Sequence, residues 1–261
     1  MSDLRWQWRA TTALTRRSVM HAFRQPHYIA PVIVLPTVML AAYSGQASSA
    51  VKLDGFPQVD GFFDFVLAGA MILAAGLAAV SGGIALATDI ELQFMHRVLT
   101  TPAPRSAIVL GRLAGTTACG VIGGVWFLVV GLLFGAEVKS GPLGALVMLA
   151  LVALTTLALA TFIAGLALRS GQTSAVQGLF PLVIVLMLIS SAFFPRDLLL
   201  EPAATIADGN PMSYVAEAIR DPWIGGMSGA TIGQGLLAIA VVGAVGALIC
   251  ATALRQRTAT T

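Results

Sequence analysis

Charge is scarce in this sequence. Of 261 residues, 10% are Asp, Glu, Lys or Arg, where soluble domains carry roughly 25%. Hydrophobic residues make up 57% and the mean hydropathy is +0.87. That balance excludes an ordinary water-soluble domain and points to a membrane protein. Cysteine is scarcer still. Cys119 and Cys250 both fall inside apolar runs, so neither a disulfide framework nor a zinc-ligand spacing is present. They read as small buried side chains. His21, His27 and His96 are scattered near the ends of apolar runs, and no metal site is expected. Basic patches interleaved with aromatics are missing, which excludes nucleic acid as a partner.

Chemical motifs are absent as well. There is no Gly-x-x-x-x-Gly-Lys-Ser/Thr phosphate loop, no His-Glu-x-x-His and no nucleophile elbow. The chain is therefore not expected to be an enzyme or to hydrolyse ATP itself. Residues 1–27 carry five arginines and no uninterrupted apolar stretch, which does not match a secretory signal peptide.

What the chain has is long apolar runs. A membrane span needs roughly 20 mostly apolar residues. Six runs qualify: 28–49, 62–88, 111–135, 143–168, 174–194 and 229–254. Their interiors lack charge; Asp64 and Arg112 sit near the ends, within reach of the interface. The predicted fold is an all-α polytopic membrane protein with six transmembrane helices. Four spans would result if two runs were re-entrant.

The connecting segments divide by charge. The N-terminus, the 89–112 loop, the turn at Arg169 and the C-terminal tail hold eleven arginines against Asp3, Asp89 and Glu91. The other segments hold Lys52, Lys139, Arg196 and Arg220 against nine acids. Positively charged loops stay inside, so the first set, with both termini, is expected in the cytoplasm. The expected organisation is an amphipathic interfacial segment over 1–27, a transmembrane domain over 28–254 and a cytoplasmic tail over 255–261.

Three segments outside the spans stand out. Residues 3–25 mix Leu4, Trp8, Val19, Met20 and Phe23 with arginines, which suits a helix lying in the headgroup region; a basic flank of the first span is the plainer reading. In the 89–110 segment, Phe94, Val98 and Leu99 share one face of a short helix, Arg97 lies near its C-terminal end, and Pro102 and Pro104 stop it. That face must be covered by headgroups or by a cytoplasmic partner. The 195–228 segment is too apolar for a plain loop and is broken by Pro195, Pro202, Pro211 and Pro222. It predicts one or two short helices at the outer leaflet or dipping into it. Glycines spaced by four in the third span (111/115, 120/124, 131/135) predict close helix packing.

Intramembrane carboxylates and histidines, which a proton-coupled carrier uses, are missing. A transporter without its own energy source and with a cytoplasmic docking helix invites an ATPase partner. At this point two segments carry a family resemblance. Asp89, Glu91, Phe94, Arg97, Leu99, Thr101, Pro102, Arg105, Gly111 and Arg112 match a pattern of type 2 permease subunits of ATP-binding-cassette (ABC) exporters, with Gln93 replacing the usual Gly. Asn210, Pro211, Glu217 and Arg220 resemble that family's signature before the last span. Phe193-Phe194-Pro195 after the fifth also fits. The chain especially resembles the branch of daunorubicin-resistance-like exporter permeases.

The resemblance implies a coupling helix at about 89–102, with Asp89, Glu91, Phe94, Arg97, Leu99, Pro102 and Arg105 transmitting ATP-driven closure. It implies short external re-entrant helices over about 195–228. It implies a separate ABC ATP-binding subunit carrying ATP and Mg, a second permease subunit (identical or paralogous), and the plasma membrane as the location. The second and fifth spans line the substrate path in the family; here they offer Phe65, Met71, Phe180, Met187, Ser190, Ser191 and Phe193. That apolar set with a few hydroxyls suits a hydrophobic drug-like molecule or lipid, moved outward. The rival readings are a gradient-driven carrier acting alone and a non-transporting membrane scaffold for a cytoplasmic ATPase.

Overall fold

The computed structural model describes residues 26–46, 51–52, 56–57, 59, 61–92 and 105–259. The predicted helix over 3–25 and residues 93–104 of the docking segment lie outside them. Among the described residues there are α-helices, short 3-10 turns and no strand. The helices are α1 (Pro26–Gln46), α2 (Phe62–Glu91), α3 (Arg105–Leu133), α4 (Gly141–Ser170), α5 (Thr173–Gln177), α6 (Leu179–Leu188), α7 (Ala203–Gly209), α8 (Pro211–Ile224) and α9 (Gly229–Ala259).

Four of these are long and apolar enough to cross a bilayer: α2, α3 from Val109, α4, and α9 up to Gln256. The remaining two predicted spans fall on shorter apolar helices, Ile29–Gly45 within α1 and Thr173–Leu188 across α5 and α6. The 174–194 run is not one continuous helix. Pro181 supplies no N–H to the Gln177 carbonyl and its ring crowds that turn, and the helix breaks at Gly178. Beyond Leu188 the chain turns instead of continuing: Ser190 bonds back to the Met187 carbonyl, and Ser191 and Ala192 bond to α8 rather than along a helix.

α2 is the axis of the bundle. It packs against α1, α3, α4, α5, α6 and α8, and 89% of its apolar window is buried against 28% for α9. A run that is apolar all round belongs in the centre of a membrane bundle. α3, α4 and α9 are apolar on both sides too, but they expose one of them: Val129 and Leu132, Leu143 and Leu146, Leu237 and Leu248 all stand out from the surface. In a bilayer those faces meet hydrocarbon, where exposure carries no hydrophobic penalty.

Small residues set the helix spacing. A side chain at Gly76 would collide with Val183 and Met187 of α6, and one at Gly69 with the Ala192 carbonyl. Gly120 and Gly124 of α3 face Thr156 and Val152 of α4, and Gly131 faces Trp223 of α8. The glycine pairing predicted for the third span thus serves packing at Gly120, Gly124 and Gly131. Gly135 does not: it lies past the helix at φ +91° with nothing near its missing side chain, and its role is the turn.

The 195–228 segment contains a 3-10 turn (Arg196–Leu198), α7 and α8. The Asn210 side chain caps α8 by accepting from Met212 N at 2.9 Å, with Pro211 at the first helical position, where no donor is needed. Gly225 ends it at φ +102°, a conformation that favours glycine. α8 does not merely rest on the outside. Met212, Val215, Ala216, Ile219 and Trp223 are buried against α2, α4 and α9.

Candidate functional site

The polar groups gather at the two ends of α2. At its N-terminal end the organising residue is Arg220 of α8. Its side chain is 4% exposed, and a buried cation is costly unless every nearby group serves it. Nε donates to the Phe65 carbonyl at 3.2 Å, and Nη2 to the Ser191 and Ala192 carbonyls at 2.9 Å each. The guanidinium carbon sits 3.5 Å from the centroid of the Phe65 ring, a cation–π contact strengthened by desolvation. One side chain therefore joins three elements: the start of α2, the turn after α6, and α8.

Glu217, one turn before Arg220, completes the charge balance. It takes a bidentate pair from Arg196, Nε to Oε1 at 2.8 Å and Nη2 to Oε2 at 2.7 Å, and a third bond from the Ser191 hydroxyl at 3.0 Å. Planar fork-to-carboxylate pairing is the strong form of this contact. Arg196 also reaches Asp208 at 3.2 Å and lies 4.7 Å from the centroid of the Tyr214 ring. Burial works to lower the Arg196 guanidinium, but Glu217, with Tyr214 and Asp208, outweighs it and holds the group above its ordinary value. Burial lowers Arg220, and the Glu217 carboxylate opposes that. Asn210 bridges to the Leu186 carbonyl at 2.7 Å, and Ser213 donates to the Ala207 carbonyl while accepting from Ser191 N. Beside this network lies a cavity of about 390 Å³ whose apolar wall includes Phe65, Pro195 and Ile224.

At the C-terminal end of α2 the contacts flank the stretch expected to dock a cytoplasmic partner. Asp89 pairs with Arg112 of α3, closing the base of the 93–104 stretch. Glu91, the last residue of α2, accepts from both the backbone N–H and the hydroxyl of Thr173, at 2.6 and 2.7 Å. Thr88 lies within hydrogen-bond distance of the same hydroxyl, 3.3 Å away. The start of α5 is thus tied to the residue from which the docking segment departs.

The structure gathers Phe65, Ser191, Glu217 and Arg220 into one network, although the sequence placed the first two on a substrate path and the last two in an external signature. Pro211 begins α8, and Asn210 caps it. Phe193 stacks on Tyr43 with centroids 5.1 Å apart. Phe65, Met71, Met187, Ser190, Ser191 and Phe193 are all buried within the chain, and Phe180 is half-buried. Of the residues expected to couple to an ATPase, Asp89 and Glu91 spend their carboxylates inside the chain. Phe94, Arg97, Leu99 and Pro102 lie outside the described residues, and Arg105 is placed only by its backbone at the start of α3. Sequence reasoning missed Arg196 and Thr173 as partners. Each pairs with a residue far along the chain, so no local spacing marks them.

A helical bundle with four apolar helices of spanning length, a buried polar network at one end and a bracketed segment at the other defines a polytopic membrane protein. The ABC-2 type transporter family model matches residues 9–222, and the chain belongs to that family. It is 24% identical over 204 residues to the daunorubicin resistance ABC transporter permease protein DrrB1 of Streptomyces coeruleorubidus, covering 77% of this chain and 71% of that protein. It is also similar to the ycf38 proteins of Pyropia yezoensis (24% over 213 residues, 80% of this chain and 72% of the relative) and Porphyra purpurea (23% over 220 residues, with the same shares).

Proposed function

We propose that this permease is the transmembrane subunit of an ABC exporter that moves a hydrophobic drug-like molecule or lipid outward. A separate ATP-binding subunit, which carries ATP and Mg, powers it. The family membership supports the class. The observation that carries the coupling reading is the bracket at the C-terminal end of α2, where Asp89–Arg112 and Glu91–Thr173 tie both the docking segment and α5 to one helix. In this reading two permease subunits pair in the plasma membrane, each with six spans and cytoplasmic termini, and α1 and α5–α6 provide the two spans that the four long helices leave over.

The buried positions of Met71, Met187, Ser190, Ser191 and Phe193 leave other side chains for an apolar cargo or a second permease to touch. On α6 and just after it these are Leu182, Val185, Leu188 and Ile189, all exposed. The cargo surface therefore lies on that face, with Phe180 at its edge, and the buried set shapes the wall from behind.

Co-purification tests the reading directly. The detergent-solubilised chain is expected to retain an ABC ATP-binding subunit, and its recovery alone from the native host would refute the proposal. Replacing Phe94 and Arg97 together by Ala should leave ATP hydrolysis by the complex running while transport falls; unchanged transport would remove the docking role.

A further inference from the structure

Arg220 has not spent all its donors. Nε and Nη2 serve three carbonyls, and among the described residues the two N–H groups of Nη1 have no partner. Among the described residues, Trp223 Nε1 is the one buried side-chain nitrogen or oxygen without a partner, so Nη1 is not sealed in. Arg220 lines the 390 Å³ cavity, the space available to a donor that is not sealed in. The space is within the roughly 300–1,000 Å³ range of small-molecule sites.

The other polar groups on the wall narrow the ligand. Arg196 and Glu217 are occupied with each other. Asp221 has one oxygen on Ser228 N at 2.6 Å, and the other has no partner among the described residues. Asp197 also lines the cavity, is exposed, and makes no hydrogen bond or ion pair among the described residues. Besides the Thr231 hydroxyl, the wall thus offers two unspent donors on a buried guanidinium and two carboxylates with unspent acceptors. A bare anion would meet Asp197 and Asp221, and a bare cation would leave Nη1 unpaired beside it. Both halves are met by a zwitterion.

We propose that this cavity binds a headgroup in which a phosphoryl oxygen accompanies a primary ammonium. The oxygen accepts from Arg220 Nη1, and the ammonium donates to Asp197 and Asp221. Phe65, Pro195 and Ile224 on the same wall, with the almost wholly exposed Leu200 three residues beyond Asp197, offer apolar surface to a tail. The same chemistry could arrive as an aminophospholipid or as a free aminophosphate. The site does not depend on transport, so its failure would leave the exporter reading standing.

The test uses the full chain in nanodiscs of phosphatidylcholine doped equally with phosphatidylethanolamine and phosphatidylglycerol, with retained lipids counted by mass spectrometry. A second arm titrates detergent-purified protein with O-phosphoethanolamine, using inorganic phosphate as control. Phosphatidylethanolamine is expected to be retained over both other lipids. Asp197→Asn, an exposed change that breaks no contact, should cut that retention about threefold and leave phosphatidylglycerol unchanged. Binding of O-phosphoethanolamine alone, weakened by the same change, would assign the site to a free aminophosphate and support the headgroup chemistry. Equal retention of the three lipids by wild type and D197N, with O-phosphoethanolamine binding no better than phosphate, would overturn it.

Discussion

Arg220 shows how one residue fixes an architecture. Three of its bonds end on main-chain carbonyls, two of them in the non-helical turn after α6. Buried non-helical backbone needs internal partners, and this guanidinium is the partner. Lysine, with a point charge and no planar fork, cannot reach all three acceptors. Arg220→Met removes the charge-assisted bonds altogether and should cost about 3 kcal/mol or more, read as a lower melting temperature in detergent; R220K should fall between it and wild type. Glu217→Gln keeps the shape of the carboxylate but turns one acceptor into a donor facing Arg196. A loss of about 1–3 kcal/mol is expected on the same assay. Loss of stability in R220M but none in E217Q would show that Arg196 finds another partner.

At the scale of elements, the seat of α5 and α6 along α2 is the feature with consequences. It is held at one end by Glu91 and Thr173, in the middle by Gly76 under Val183 and Met187, and at the other end by Arg220. Gly76→Val would push a branched side chain into that seat, an overpacking worth about 1–3 kcal/mol, visible as reduced thermal stability. Thr173→Val is different. Its partner Glu91 is exposed, so stability should change by no more than about 0.5 kcal/mol. If the contact couples the docking segment to α5, the amount of substrate moved per ATP should nevertheless fall. An unchanged ratio would reduce the pair to a surface hydrogen bond.

At the scale of the whole molecule, the arrangement separates a buried axis from three lipid-facing helices, and the two polar ends of that axis carry the predicted inside and outside. A cysteine introduced at Thr101 should resist a membrane-impermeant label in intact cells and react after lysis. Labelling in intact cells would invert the orientation inferred from the arginines.

The membrane class, the helical fold, the four long helices and the family resemblance were all legible in the chain, because hydrophobic run length and local charge are properties of neighbouring residues. So was the unusual character of 195–228; the start of α8 was within reach at Asn210-Pro211, a local capping signal, but there the pair stood out only as part of a family signature. The break in α5–α6 was also within reach, at Pro181. Burial of α8 in the core was not, and neither was the union of Phe65, Ser191, Arg196, Glu217 and Arg220. In an all-apolar helix, sequence cannot tell which face meets lipid and which meets protein, because both surroundings accept the same side chains. The scarce charges gave the sides of the membrane by their distribution. Only tertiary structure decided which of them pair, because Arg196 and Glu217 are 21 residues apart and Arg220 and Phe65 are 155.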